Sequence, residues 1–251
     1  MHAMYNDLTP WYALLDPPES HELEAAQFSN LLRTEMFEPK PVPSLLELGS
    51  GAGHNAIWMK SLFDCTLSDL SKPMLALSRK TNPECEHYQG DMQTIDLGRQ
   101  FDAVLIHDAI VYMTTEPALK ATLANAFQHL RPGGAAVFAP DSVRDSFQEQ
   151  TEVEEAEDGE RSMRCTIWSW DADPSDTTIQ VEYGFLLREG EAVRSVHDRH
   201  TEGLFSIADW LRLLREVGFE ARTVPRTAEA DIDASASAYF DQVFLCHRPL
   251  E

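Results

Sequence analysis

The chain contains no CxxC pair, no run of Lys or Arg, and no apolar stretch near the roughly 20 residues that a membrane helix requires. Cys65, Cys85, Cys165 and Cys246 stand far apart, so neither a zinc knuckle nor a disulfide framework is suggested, and no metal site is expected. Lys and Arg number 20 against 42 Asp and Glu, a formal net charge of −22. A surface of that sign repels a phosphate backbone, which argues against nucleic acid as a partner. The N-terminus MHAMYNDLTPWY lacks a charged region followed by an apolar one and does not read as a secretory leader. These absences point to a cytoplasmic chain with reduced thiols and no membrane attachment.

What is present suits one large core. The 251 residues are 43% hydrophobic and 25% charged, ordinary globular usage, and a chain of this length buries roughly 70 to 75% of its extended surface on folding. Short β-rich runs alternate with helical patterns over the first 148 residues, the signature of βαβ units and a mostly parallel sheet. Strands are expected at Ser44 to Leu48, Asp64 to Ser68, Glu86 to Gln89, Phe101 to His107 and Ala135 to Ala139. Helices are expected at Ser20 to Met36 with Ser20 as N-cap, after Gly53, at Pro73 to Lys80, and at Glu116 to Leu130 before the turn RPGG.

The run EQTEVEEAEDGE, 149 to 160, carries no basic residue and reads as a solvated face or a mobile loop that marks a boundary. Beyond it, Cys165 to Trp170, Thr178 to Leu187 and Ala192 to Gly203 form an antiparallel three-stranded add-on. Ser206 with Asp209 resembles a capping box for a helix ending at Gly218. Two last strands, about Glu220 to Val224 and Phe240 to Arg248, bring the sheet to seven. The fold class is therefore α/β: a Rossmann-like sheet with helices on both faces and an inserted sheet after strand five. Its parts are 1–148, the insert 149–204, and 205–251.

The informative segment is LLELGSGAGHNA, Leu45 to Ala56, where a strand containing Glu47 runs into Gly49, Gly51 and Gly53 before a helix. Glycines at alternate positions allow a sharp turn with no Cβ atoms between backbone and ligand. The register Gly51-Ala52-Gly53-His54-Asn55-Ala56 satisfies GxGxxA, so the loop alone does not exclude a dinucleotide. Glu47 argues against one, because a pyrophosphate gains nothing from a carboxylate at the loop entrance, whereas a cationic amino-acid ligand does.

At this point the sequence resembles the class I S-adenosylmethionine-dependent methyltransferases, most closely from Leu45 to Asp141. ELGSGAG matches that family's ExGxGxG loop, Asp69 in LSDLS stands where an acid takes the ribose hydroxyls, Gly90-Asp91-Met92 stands near the adenine, and LRPGG precedes strand five. The resemblance implies S-adenosyl-L-methionine as cofactor, held by Glu47, Gly49, Ser50, Gly51, Gly53, Asp69, Leu70, Met74, Gly90, Asp91, Met92 and His107, with Tyr12 or Tyr5 closing over it. The insert and the aromatic N-terminal segment resemble the arrangement in aminosugar N,N-dimethyltransferases and glycine-type N-methyltransferases, which implies a small-molecule acceptor and pairing into a homodimer.

Displacement at a sulfonium methyl needs alignment more than a catalytic side chain. His107 and Asp108, after strand four, are the candidates for acid–base or positioning work. Tyr5, Tyr112, Asp141, His197, Arg199 and His200 are the candidates for contact with the acceptor. In a regular strand His197 and Arg199 share a face that His200 does not, which disfavours a two-histidine metal site. Trp168 and Trp170 pack the insert or wall the acceptor. HDAIVYM replaces the NPPY-type motif of enzymes that methylate planar amines, which favours a small metabolite, through N- or O-transfer. The alternatives are a cofactor-binding regulatory protein without turnover and an NAD-linked oxidoreductase.

Overall fold

Side chains alternate across a strand, so the apolar runs divide into two sets on opposite faces of one sheet. Leu46, Leu48, Val104, Ile106 and Phe138 pack on one face with Leu123, Trp210 and Leu214. Leu45, Leu67, Ala103, Leu105 and Val137 pack on the other with Phe28, Leu32 and Met59. The computed structural model describes residues 2–226 and 242–251. The first two positions of the expected last strand, 240–241, lie outside them.

In chain order the core comprises α1 (Tyr12–Leu15), α2 (Glu22–Glu35), β1 (Ser44–Leu48), α3 (His54–Met59), β2 (Asp64–Asp69), α4 (Lys72–Thr81), β3 (Glu86–Gln89), β4 (Phe101–His107), α5 (Glu116–His129) and β5 (Leu130–Ala139). The insert supplies β6 (Gln150–Asp158), β7 (Arg161–Trp170), β8 (Thr178–Glu189) and β9 (Ala192–Gly203). The chain then returns through α6 (Ile207–Val217), β10 (Glu220–Pro225) and β11 (Gln242–His247). The seven-stranded order is β10-β11-β5-β4-β1-β2-β3. β1 to β5 run parallel, while β11 is antiparallel to both β5 and β10. Successive crossovers leave β1 in opposite directions, to β2 on one side and eventually to β4 on the other. That switch point opens a crevice at the carboxyl ends of the strands. All seven residues of β4 are buried, as FDAVLIH implies.

Three local expectations change. Ser20 does not cap α2: its hydroxyl donates to the Pro17 carbonyl at 2.7 Å, and the helix opens at Glu22 after a 3-10 turn over Pro18–His21. The RPGG segment is not outside β5 but forms its irregular start, with Gly133 at φ 74 and a register shift against β4 between Phe101 and Ala103. The inserted sheet has four strands, β6-β7-β8-β9, rather than three. The acidic run is β6, an edge strand with nearly every residue exposed, so it is a solvated face and not a loop. Its charges stay in water and pair across the ladder, Arg164 Nε with Glu155 at 3.1 Å and Arg164 Nη2 with Glu157 at 3.3 Å. Charge along an edge strand also discourages a further chain from adding to the sheet.

Ser206 does cap α6, its hydroxyl accepting from the Asp209 amide at 3.1 Å, and Gly218 ends that helix at φ 116. The N-terminal segment straps insert to core. Met4 N donates to Asp198 at 2.9 Å, Ser71 Oγ donates to the Tyr5 carbonyl at 2.6 Å, and Met4, Leu8 and Trp11 pack on Met163, Cys165 and Phe185. No helix among the described residues is long and apolar enough to cross a membrane.

Candidate active site

A cavity of about 770 Å³ lies at the carboxyl ends of β1 to β4, lined in part by the N-terminal strap and by Arg199 and Thr201 of the insert. The glycine turn forms its floor. Gly49 N and Ser50 N donate to the Ser68 carbonyl at 2.7 and 2.9 Å, and Gly51 N donates to Asp69 Oδ2 at 2.8 Å. Gly49 has φ 75, and a Cβ there would collide with Ala109 Cβ and stand 2.9 Å from Met92 Cε. Glycine is therefore required for the turn to lie against the exit of β4.

Glu47, Gly49, Ser50, Gly51, Asp69, Leu70, Gly90, Asp91, Met92, His107, Asp108, Tyr5, Tyr12, Tyr112 and Arg199 all line the cavity. The other expected residues do not. Gly53 turns inward, where a Cβ would stand 2.6 Å from Asn82 Nδ2, so it serves the packing of α3 on α4. Met74 is buried beneath the loop, Asp141 stands behind Asp108, and His197 is on the outer face of the insert. His200 is fully buried behind Tyr112. Trp168 and Trp170 pair with each other, ring centroids 4.6 Å apart, with Trp168 53% exposed, and form no wall of the cavity.

The cavity gathers buried polar atoms without a hydrogen-bond partner among the described residues: Glu47 Oε2, Asn55 Oδ1, Ser50 Oγ, His21 Nδ1 and His54 Nδ1. The other Glu47 oxygen accepts from Asn55 Nδ2 at 3.2 Å. Asp16 accepts from His21 Nε2 at 2.6 Å and lies 3.4 Å from His54 Nδ1, without the alignment of a hydrogen bond. Burial opposes charge on His21, but Asp16 raises its affinity for a proton. Two acceptors thus stand beside donors, an arrangement complementary to an amino-acid zwitterion.

Burial pushes the Glu47 carboxyl up to about 7. A carboxyl raised by folding contributes stability that is complete below its ordinary value of 4.5 and is lost as the pH rises through about 7. The thermal midpoint of the protein alone is expected to fall across that window. Glu47→Gln should flatten part of the fall in scanning calorimetry; a profile identical to wild type would contradict this.

His107 sits within a cluster of charged side chains. Its Nε2 lies 2.8 Å from Glu24 Oε2 and 2.8 Å from Asp108 Oδ1. Burial disfavours its charge, yet these two carboxylates raise it to about 10, so the ring is a cation at neutral pH. Arg226 Nη2 also approaches Nε2 to 2.6 Å, a contact that suits only a neutral ring. Asn55 Nδ2 stands 3.2 Å from Nδ1, so the ring meets two donors as well as two carboxylates, and the carboxylates set the direction of the shift. Arg226 completes the cluster through Nε on Glu24, Nη2 on Asp108 at 3.1 Å and Nη1 on the Pro140 carbonyl at 3.2 Å. Burial resists ionisation of Asp108, but His107 and Arg226 hold it well below the usual carboxylate range. Burial and the Asp108 charge push Asp141 well above it.

Toward the insert, Tyr5 and Tyr112 hydroxyls meet at 2.7 Å, Tyr112 donates to His200 Nδ1 at 2.8 Å, and His200 Nε2 donates to Asp198 at 3.2 Å. Burial and His2 lower His200 to about 4, so the ring is neutral and its acceptor nitrogen faces Tyr112. His197 and Arg199 share the opposite face of β9, as strand alternation requires, and both pair with Glu182.

Asp16, His21, His54 and Asn55 were not singled out by sequence reasoning. His54 and Asn55 follow Gly53 directly, which is a usable signal. Glu24 and Arg226 leave none, since 202 residues separate them.

Residues 45–134 match the family model described as a methyltransferase domain. The match runs from β1 through the glycine turn to the start of β5. Among curated proteins, the chain is 34% identical over 124 residues to the dTDP-3-amino-3,4,6-trideoxy-alpha-D-glucopyranose N,N-dimethyltransferase of Streptomyces venezuelae. That alignment covers 49% of this chain and 51% of the relative, so the chain spans about half that relative's length. Among solved structures, Streptomyces venezuelae DesVI superposes with TM-score 0.81 at 24% identity, over 96% of this chain and 97% of that one. The SAM-bound amino pentose methyltransferase CalS10 from Micromonospora echinaspora gives TM-score 0.76 at 23% identity, over 91% and 92%. At these identities the superpositions speak for the fold.

Proposed function

We propose that this chain transfers the methyl group of S-adenosylmethionine to an amino group of a small-molecule acceptor. The observation that carries the reading is the convergence on one cavity of the Gly49 turn, Asp69 at the end of β2, and the unpaired polar atoms of Glu47, Ser50, Asn55 and His21. That set complements a nucleoside joined to an amino acid. Asp69 would take the ribose hydroxyls, Asp91 and Met92 the adenine. Glu47 with Asn55 would take the ammonium, and His21 with Ser50 the carboxylate. When bound, the cofactor supplies a methyl group on a sulfonium, open to in-line displacement.

The chain's own contribution is alignment and exclusion of water by the strap and the insert, an effect worth about 7 to 11 kcal/mol for well-oriented reactants. Amines are favoured because the relatives are named as amino-sugar N-methyltransferases. Pairing of two copies belongs to the same reading, supported by exposed Val153, Trp168, Leu186 and Val193 on one face of the insert; light scattering tests it.

Calorimetry should detect S-adenosylhomocysteine binding. Asp69→Ala should weaken it about 10- to 100-fold, the loss of charge-assisted hydrogen bonds worth about 1.5 to 3 kcal/mol. No binding by the intact chain rejects the reading. Binding without turnover across amines and their hydroxyl counterparts would favour the regulatory alternative.

A further inference from the structure

A row of four hydrogen-bonded side chains runs from the insert to the cavity wall: Asp198 and His200 on the inner face of β9, Tyr112 in the turn after β4, and Tyr5 on the strap. Tyr5 and Tyr112 line the cavity, whereas His200 and Asp198 are buried behind it. The direction of such a row is found by counting protons. Asp198 fixes one end. Its Oδ2 accepts from Met4 N at 2.9 Å and from His200 Nε2 at 3.2 Å. Burial resists its ionisation, but these hydrogen bonds hold it below the usual carboxylate range, so it has no proton to give.

The His200–Asp198 bond therefore uses the Nε2 proton. A neutral imidazole carries only one, which leaves Nδ1 a lone pair, and Nδ1 accepts from the Tyr112 hydroxyl at 2.8 Å. That spends the proton of Tyr112, so the 2.7 Å contact between the two hydroxyls is made with the proton of Tyr5. Every proton in the row points toward Asp198. Tyr5 and Tyr112 are left with lone pairs alone to turn to the cavity. The surroundings hold His200 neutral: His2 and Tyr5 face its ring from the strap, Tyr112 from the turn after β4, Tyr183 from β8, and Asp198 and Glu202 from its own strand. Glu182 on β8 is engaged by His197 and Arg199. Burial and His2 lower the ring to about 4, against the pull of Asp198. Burial raises both tyrosines well above their ordinary value, so each keeps its proton.

We infer that Asp198 and His200 are positioning residues for methyl transfer: through Tyr112 they fix the Tyr5–Tyr112 hydroxyls as a wall of lone pairs that takes an N–H of the incoming amine and leaves its nitrogen lone pair free to attack. This rests on the methyl-transfer reading and deepens it. A ligand oxygen without a proton, as in a carboxylate or phosphate, finds no donor at these hydroxyls. The row takes no proton from the substrate, because His200 stays neutral and both hydroxyl protons are already committed. An ammonium therefore loses its proton to solvent before it reacts. The free amine then forms the nitrogen–carbon bond with its own lone pair, the carbon–sulfur pair returns to sulfur, and the product leaves as a methylated ammonium.

The test uses the full chain. S-adenosylhomocysteine calorimetry reads the underlying assignment by itself, and the His200 variants should keep wild-type affinity, since His200 does not line the cavity. Nitrogen NMR of the histidine rings, with His200 assigned by its loss in His200→Asn, should show a neutral ring protonated at Nε2 and unchanged through pH 6.5, where an ordinary histidine titrates. A proton on Nδ1, or titration near 6.5, overturns the inference whether or not any variant is active. His200→Leu removes the acceptor and frees the Tyr112 proton to face the cavity, whereas the amide oxygen of His200→Asn can still take it. The probe is 3-amino-3-deoxyglucose, because relatives are named for 3-amino sugars. With it, His200→Leu should lower kcat at least about tenfold, the scale of one lost hydrogen bond, and His200→Asn should recover most of the loss. Wild-type kcat/KM should rise with pH along the ionisation of the amine itself. Undiminished kcat in His200→Leu, a His200→Asn protein as slow as His200→Leu, or a pH profile set by a group that the His200 variants lose would each overturn the inference while leaving cofactor affinity intact.

Discussion

Gly49→Ala is expected to weaken S-adenosylhomocysteine binding at least about 100-fold, the equivalent of about 3 kcal/mol. Two costs combine. The residue sits at φ 75, where an L side chain loses about 1 to 2 kcal/mol, and the added methyl meets Ala109 Cβ, which is fixed to the backbone and has no rotamer to escape into. Relief requires the turn to lift away from Ala109 and Met92, both of which line the cavity. Gly98→Ala separates the two costs, because Gly98 has φ 63 but an added methyl there would have nothing within 4 Å. It should lose about 1 kcal/mol of stability and retain full affinity. A folded Gly49→Ala protein with wild-type affinity would show that the turn does not meet the cofactor.

The second large effect is expected at Glu24, far from the turn in sequence. Glu24 is shared by His107 and Arg226, and its side chain is 14% exposed. Breaking a buried pair on one side leaves charge without compensation, typically 3 to 5 kcal/mol, so Glu24→Gln should lower stability by about 3 kcal/mol and the thermal midpoint by on the order of 10 °C. The pH dependence carries a sign. His107 is raised from 6.5 to about 10, so its contribution is complete below 6.5 and is lost as the pH rises through about 10. In Glu24→Gln one of its two carboxylates is gone, and that alkaline loss should begin at lower pH. Scanning calorimetry across the range, with NMR of the His107 ring, measures both. A ring that titrates near its ordinary value in wild type would refute the cationic assignment.

The N-terminal strap, the acidic edge strand and the His107 cluster show where sequence reasoning stops. The apolar run FDAVLIH and the β-like run bounded by REGE placed β4 and β9 to the residue, because both signals are read from neighbouring positions. The capping of α6 by Ser206 was legible for the same reason, its partner being three residues away. The Ser20 cap failed because its hydroxyl found a nearer carbonyl in the preceding turn. The run 149–160 looked like a solvated face or a loop because like charges repel. In the folded chain those charges lie at a sheet edge, in water and opposite Arg164, where the repulsion is weak.

By itself, the sequence determined the seven-stranded α/β plan, the glycine turn and the acid at the end of β2. Strand period, positive φ and motif spacing are set within a few residues, and the charge of −22 is a plain sum. Only the tertiary structure brought Glu24, Asp108 and Arg226 around His107 and turned Gly53 into the packing of α3 on α4. Each depends on residues distant in the chain being brought together, Glu24 with Arg226 and Tyr5 with Tyr112 among them, and on how much water is removed when they meet. A protonation state is fixed by burial and by neighbouring charge, and neither exists until the sheet, the strap and the insert have closed around the cavity.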